Sequence, residues 1–322
     1  MACRMIRAAL IRNPSSHRNL ASSDSYRLQA REWLGPCFAE PAAPGDMHDV
    51  LADFAQRGVN LLIIDGGDGT LHKVLSALPP EWEKQPPRMA IMASGNTNLV
   101  AGDVGSGVRG VKGLRRLIDW TPQEVGRVRS RSCLEIRWED EAHPVVRGMF
   151  FGAAAFTRGT DIAHRKIHRR GFFHKPAVLF AIVASLGHTL LAATRRQWLM
   201  GDAMEIATDG QTALKGDRFL FLATSLDRLM LGIWPFWNDG GAAIRYLDVD
   251  ATPKRLPGVS LALLRRRIPQ WLRDAEDFRS GGANTIEMSL SERFVLDGEV
   301  FEPGPLGKIL IRPGPQIEFV TL

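Results

Sequence analysis

The chain has 322 residues, of which 45% are hydrophobic and 24% charged: enough for about two domains with cores of their own, and too apolar for a disordered chain. Its three cysteines, Cys3, Cys37 and Cys133, show no CxxC spacing, so neither a disulfide framework nor a zinc site is indicated, and a reducing cytosol fits best. A balance of 41 Lys+Arg against 35 Asp+Glu, net +6, favours anionic partners without choosing among phosphates, acidic lipid and nucleic acid.

The first residues, MACRMIRAALIRNPSS, make a poor signal peptide, because Arg7 and Arg12 interrupt a short apolar stretch. Residues 5–11 read as a strand that ends at Asn13-Pro14. Helices are expected over 23–35 and 46–58, the second with Leu51, Phe54 and Ala55 on one face and Gly58 as its stop. A buried strand (60–65), a helix (70–78), a strand (87–94) and a helix (111–120) follow. Strand and helix alternate, which predicts a doubly wound parallel sheet over residues 1–126. From 127 to 322 the texture changes to short β-rich runs at 132–138, 145–156, 204–209, 218–226, 242–251, 285–291, 293–302, 308–313 and 316–322. They predict an antiparallel second domain.

Within the first domain, LLIIDGGDGTLHKVLSAL (61–78) drops from an apolar strand into Gly66, Gly67, Asp68, Gly69 and Thr70 before a helix begins. Such a corner lets backbone N–H groups approach a phosphate with no Cβ in the way, and Asp68 would orient a sugar hydroxyl or a metal shared with phosphates. A plain tight turn with an aspartate cap explains part of the same pattern. There is no GxxxxGK[ST], and the GxGxxG at Gly105, Gly107 and Gly110 lacks the preceding strand that would give it meaning.

Two later stretches also carry content. Residues 157–196 place Arg165, Lys166, Arg169 and Arg170 ahead of an almost wholly apolar run, 176–193, interrupted by Gly187 and His188. This reads as a buried or surface-lying helix beside a basic face suited to an anionic membrane, rather than a membrane span. Trp234, Phe236 and Trp237 suit either a headgroup interface or a core. No nucleic-acid module is recognisable.

NPSS (13–16) after the first strand, GGDGT (66–70), SGNTNLVAGDVG (94–105) and Asp297-Gly298-Glu299 late in the chain occur in that order. Together they resemble the diacylglycerol kinase family, which includes the bacterial lipid kinases and the sphingosine and ceramide kinases. The resemblance implies a two-domain fold, an N-terminal α/β domain similar to that of NAD kinase and a C-terminal β-sandwich, with ATP and Mg²⁺ as cofactors and a membrane lipid as acceptor. It implies a nucleotide site of Asn13, Ser16, Gly66, Gly67, Asp68, Gly69, Thr70, Gly95, Asn96, Thr97 and Asn98. It also implies a magnesium site at Asp239 with the carbonyls of Phe236 and Gly241, and a proton-accepting carboxylate from Asp297 or Glu299. Asp-Gly between RFVL and EVFE is equally a strong hairpin signal, and a tight turn would separate the two carboxylates. A cytoplasmic protein peripheral to the inner face of the membrane is expected.

The chain departs from the family pattern at Lys73, where glutamate is usual, at Leu99, where aspartate is usual, and at His17 and Asn96. The loop SGNTNL is closer to the sphingosine and ceramide kinase version. These departures keep two alternatives in view, a soluble-substrate kinase of the NAD kinase type and a catalytically weak nucleotide-binding protein.

Overall fold

A computed structural model describes residues 6–21, 24–43, 45–121, 128–140, 143–161, 199–238 and 240–322. Contacts divide the chain into two units, Met1–Cys133 with Pro315–Leu322, and Leu134–Gly314. The α/β start and the antiparallel remainder expected from the sequence are both present.

In the first unit the order is β1 (Ala8–Arg12), α1 (Asp24–Leu34), β2 (Phe38–Ala39), α2 (Asp46–Gln56), β3 (Leu61–Gly66), α3 (Asp68–Ser76), α4 (Pro80–Glu83), β4 (Arg88–Ala93), α5 (Leu99–Val104) and α6 (Gly110–Ile118). The strands are parallel in the order β2-β1-β3-β4. Leu10, Leu61, Ile63, Ala90 and Met92 pack with Tyr26, Ala30, Leu114, Leu117 and Trp120. The alternate residues Leu62 and Ile64 are equally buried. Burial of both faces is why β3 reads as a continuous apolar run and not as an alternation. The two-residue β2 was not expected; it is too short to carry a periodic signal and is fixed by pairing Leu10 with Phe38 and Ile11 with Ala39.

The second unit takes over partway along β5 (Val128–Trp138) and continues with β6 (Val146–Gly148), β7 (Phe150–Ala154), β8 (Asp202–Thr208), β9 (Leu214–Thr224), β10 (Ile244–Asp250), β11 (Phe278–Ala283), β12 (Ile286–Leu290), β13 (Phe294–Leu296), β14 (Glu299–Phe301) and the first part of β15 (Lys308–Val320). Its pairs are antiparallel, β14-β13-β7-β9-β8-β12-β15, with β10 and β11 branching from β9. One core runs through it, with Phe151, Phe221, Phe294, Ile286, Ile309 and Ile311 at its centre.

The runs expected at 308–313 and 316–322 form one strand, Lys308–Val320, instead of two. Pro313 and Pro315 fall between the pairing with β12, at Lys308–Ile311, and the parallel pairing of Phe319 with Met89 on β4. Neither proline is asked for an N–H by those two neighbours. A further helix, Leu256–Leu264, was not read from the sequence, because its composition is apolar without a helical polar rhythm. The basic residues Arg165, Lys166, Arg169 and Arg170 and the apolar run 176–193 lie outside the described residues, as does Asp239. Among the described residues no helix is long and apolar enough to cross a membrane.

Glu135 on β5 is buried under three guanidinium groups, those of Arg147 (2.9 Å), Arg137 (2.8 Å) and Arg312 (2.7 Å). Burial pushes the carboxyl up, but the arginine hydrogen bonds outweigh it and hold the group at about 2. Because the folded value lies below the unfolded one, the stabilisation is present above pH 4.5 and is lost as pH falls towards 2. With Arg137 and Arg312 partly solvated, Glu135→Gln is expected to cost about 2–3 kcal/mol at pH 7. Denaturant melts of the two proteins should converge as the pH is lowered through that window; a constant gap would refute the assignment.

Candidate functional site

Three loops leave the carboxyl ends of neighbouring parallel strands: residues 13–18 after β1, 66–70 after β3 and 94–98 after β4. In the order β2-β1-β3-β4 the chain turns from one side of β1 to the other, so β1 and β3 flank the reversal. Open α/β sheets bind ligands at this edge and at this reversal.

The loops are cross-tied. Asn13 donates from Nδ2 to Thr70 Oγ1 (3.0 Å), and its Oδ1 accepts the N–H of Ser15 (3.0 Å). Asn19 Nδ2 donates to the carbonyls of Asn13 (2.9 Å) and Asp65 (3.2 Å). Under this lattice lies Asp65, 1% exposed, whose carboxylate accepts hydrogen bonds from Tyr26 Oη (2.9 Å) and Ser94 Oγ (2.5 Å). Burial and the Asp65 charge hold the Tyr26 phenol well above its usual value, so it remains a donor. Asp65, Tyr26, Asn19 and Ser94 went unnoticed in the sequence; the one available signal is a charged residue closing the apolar strand LLIID.

The glycines answer first to packing. A Cβ on Gly66 would overlap the Thr70 side chain, and one on Gly67 would stand 2.9 Å from the Gly95 Cα. A Cβ on Gly95 would strike the Gly67 Cα more closely still. The two loops therefore meet backbone to backbone, which no other residue type permits. Gly69 lies in the first turn of α3, where the Thr70 (3.0 Å) and Leu71 (3.1 Å) N–H groups donate to the Gly67 carbonyl.

Asp68 spans the same two loops. Its Oδ2 accepts the N–H of Leu99 (2.9 Å) and its Oδ1 that of Val100 (3.0 Å), at the start of α5. Burial raises its carboxyl above the ordinary value, and these N–H groups pull the other way. Leu99 thus contributes its backbone where the family pattern has an aspartate. Asn98, left-handed at φ 50°, closes its loop by accepting from Gly95 N (2.9 Å) and donating to Gly95 O (2.7 Å). Asn96 is exposed and Thr97 half-buried in the same bend, and Ser16 is buried in the first loop. Arg18, another residue the sequence reading passed over, is fixed by Nη1 to the Ala93 carbonyl (3.1 Å), and burial and the nearby Arg109 lower its pKa. The Arg18 guanidinium thus stands beside the loop after β4. Lys73 is exposed on α3.

In the second unit, Asp297 (φ 50°) and Gly298 (φ 92°) occupy the two central positions of the β13–β14 hairpin, opposite the pair Leu296–Glu299. Both positive φ values mark the primed turn that Asp-Gly favours. The Asp297 carboxylate accepts the N–H groups of Met149 (Oδ2, 2.9 Å) and Phe150 (Oδ1, 2.9 Å). Gly148 is required beside it, since a Cβ there would lie 2.5 Å from Asp297 Oδ2. Glu299 is exposed. The turn therefore separates the two carboxylates in role, one tied to backbone and one in solvent.

In the third sequence candidate, Phe236 and Trp237 are buried, at 3% and 7% exposure, and Phe236 packs edge-on to Trp234 (5.0 Å). These two aromatics are core residues. Gly241 is left-handed at φ 74°. No group of three His, Cys, Asp or Glu suited to a metal occurs among the described residues.

A parallel α/β unit with cross-tied glycine loops at its switch point, followed by an antiparallel unit, defines the class. Residues 7–129 match the family model of the diacylglycerol kinase catalytic domain, which bears out the resemblance drawn from the motifs. The fold is similar over 98% of this chain to 97% of a "putative diacylglycerol kinase" from Bacillus anthracis str. Sterne, at 15% identity and TM-score 0.62. It is likewise similar over 99% of this chain to 98% of a structure described as a diacylglycerol kinase from the same organism, at 15% identity and TM-score 0.58. No curated protein matches the sequence.

Proposed function

We propose that the protein is an ATP- and Mg²⁺-dependent lipid kinase, acting from the cytoplasm on a primary hydroxyl of a ceramide, sphingoid base or diacylglycerol at the inner face of the membrane. The observation that carries this reading is the glycine-to-glycine contact of the two loops at the sheet's switch point, within the segment that matches the kinase family. N–H groups of the glycine corner leading into α3 hold phosphate oxygens, and Arg18 offsets their charge. Asn13, Ser16, Asn96, Thr97 and Asn98 line the nucleotide, while Asp68 keeps the loop after β4 in place for it. In the transfer, the lipid oxygen forms a bond to the γ-phosphorus as the bond to the β–γ bridging oxygen breaks and ADP leaves. The hydroxyl proton passes to Glu299, the carboxylate not committed to backbone donors.

Magnesium neutralises phosphate charge in such transfers. Phe236 and Gly241 would offer it main-chain carbonyl oxygens and Asp239 a carboxylate, hard oxygen donors of the kind Mg²⁺ takes. Lys73 and Leu99 favour a second reading, a nucleotide-binding relative of low turnover.

Purified protein with γ-labelled ATP, Mg²⁺ and mixed micelles of ceramide, sphingoid base or diacylglycerol is expected to label at least one lipid, and Glu299→Gln is expected to label it about 10²–10⁴-fold more slowly. Failure with every lipid alongside ATP binding by calorimetry would establish the second reading. Transfer to NAD without lipid would instead favour a soluble-substrate kinase.

A further inference from the structure

Residues 254–273, KRLPGVSLALLRRRIPQWLR, belong to none of the motifs above. They contain six basic side chains and no acidic one; the first acidic residue after them is Asp274. They fold as a helix over Leu256–Leu264 and a short one over Gln270–Arg273. Val259, Ala262 and Leu272 face inward and are buried, which anchors both helices to the second unit. The outer side is also apolar: Leu261 is 48% exposed, Leu264 55% and Trp271 37%. The Trp271 ring lies against Gly258 and under the Arg255 guanidinium, 5.9 Å from its centroid, so the two helices form one surface. Ser260, the only polar residue within the first helix, turns its hydroxyl back to the Leu256 carbonyl (2.8 Å) and adds nothing polar outward. Lys254, Arg255, Arg265, Arg266, Arg267 and Arg273 are all exposed around these apolar side chains.

We propose that this surface docks on an anionic lipid bilayer, with Leu261, Leu264 and Trp271 entering the headgroup–acyl boundary and the basic side chains meeting acidic headgroups. Charge and apolarity choose this occupant together. A second copy would bring six more positive charges against the first. A nucleic acid would satisfy the arginines but leave both leucines in water. The docking is distinct from phosphoryl transfer, and it is read without ATP, so its failure and that of the kinase reading are separable.

The full chain is mixed with sucrose-loaded vesicles of phosphatidylcholine, with or without phosphatidylserine, and sedimented. Binding is expected to the serine-containing vesicles and to weaken as salt rises. Leu261→Gln/Leu264→Gln should lower partitioning by about tenfold or more, and Arg265→Gln/Arg267→Gln by about fivefold per charge. All four side chains are exposed, so thermal melts should stay at the wild-type value. Wild-type partitioning by the leucine variant, equal binding to phosphatidylcholine alone, or preference for duplex DNA over the acidic vesicles would each overturn the proposal.

Discussion

Glu299→Gln is expected to lower kcat for lipid phosphorylation by about 10²–10⁴-fold, the range for removal of a general base, and to leave the melting temperature unchanged. Glu299 is the first residue of β14 and exposed, so its amide analogue disturbs no packing. Asp297→Asn behaves differently. Asn-Gly keeps the left-handed turn, but an amide has one acceptor oxygen where the carboxylate uses two, and one of the Met149 and Phe150 N–H groups loses its partner. A stability loss of about 1–2 kcal/mol is expected, with activity falling in step with it. Steady-state kinetics and thermal melts on both variants separate the roles. A large fall in kcat for Asp297→Asn at unchanged stability, with Glu299→Gln active, would exchange the two assignments.

Gly95→Ala is expected to be the most damaging single-methyl change in the first unit. The added carbon has a backbone atom, the Gly67 Cα, in its way, with no flexible side chain to yield. Separating the loops also strains the Asp68 bonds to Leu99 and Val100. Overpacking against backbone costs about 2–3 kcal/mol, and nucleotide affinity should fall with it because both loops move. Gly107→Ala, at a site where a Cβ meets nothing within 4 Å, serves as the control. Differential scanning calorimetry with and without ATP reads both effects; equal behaviour of the two variants would refute the packing role.

The sheet and the order of the loops were legible in the sequence because buried parallel strands are unbroken apolar runs and glycine corners interrupt them. The purpose of the glycines was only half legible. Residues 61–78 announce a tight corner, but that Gly67 rests on Gly95 is a long-range contact that no local pattern encodes. Asp68 reads in the sequence either as a ligand-orienting residue or as a cap at a tight turn, and neither reading includes the start of α5, thirty-odd residues further on, whose N–H groups its carboxylate accepts in the fold. The Asp-Gly hairpin was read correctly as a turn signal, whereas the bond from its carboxylate to β7 depends on strand pairing and so lay beyond the sequence. The helix Leu256–Leu264 escaped because leucines on every face give no period to detect.

The last strand has a practical corollary for anyone dissecting the molecule. Val320 fills part of the core behind Leu10 and Ile63, and Phe319 lies against Met89 on β4, yet both residues follow β4 by more than two hundred positions in the chain. A fragment stopped at Cys133 would carry the whole matched catalytic segment and still present a bare strand margin and a hollow beneath it. Such an edge invites aggregation. Recombinant work on the first unit alone calls for a permuted gene that restores residues 315–322 through a linker.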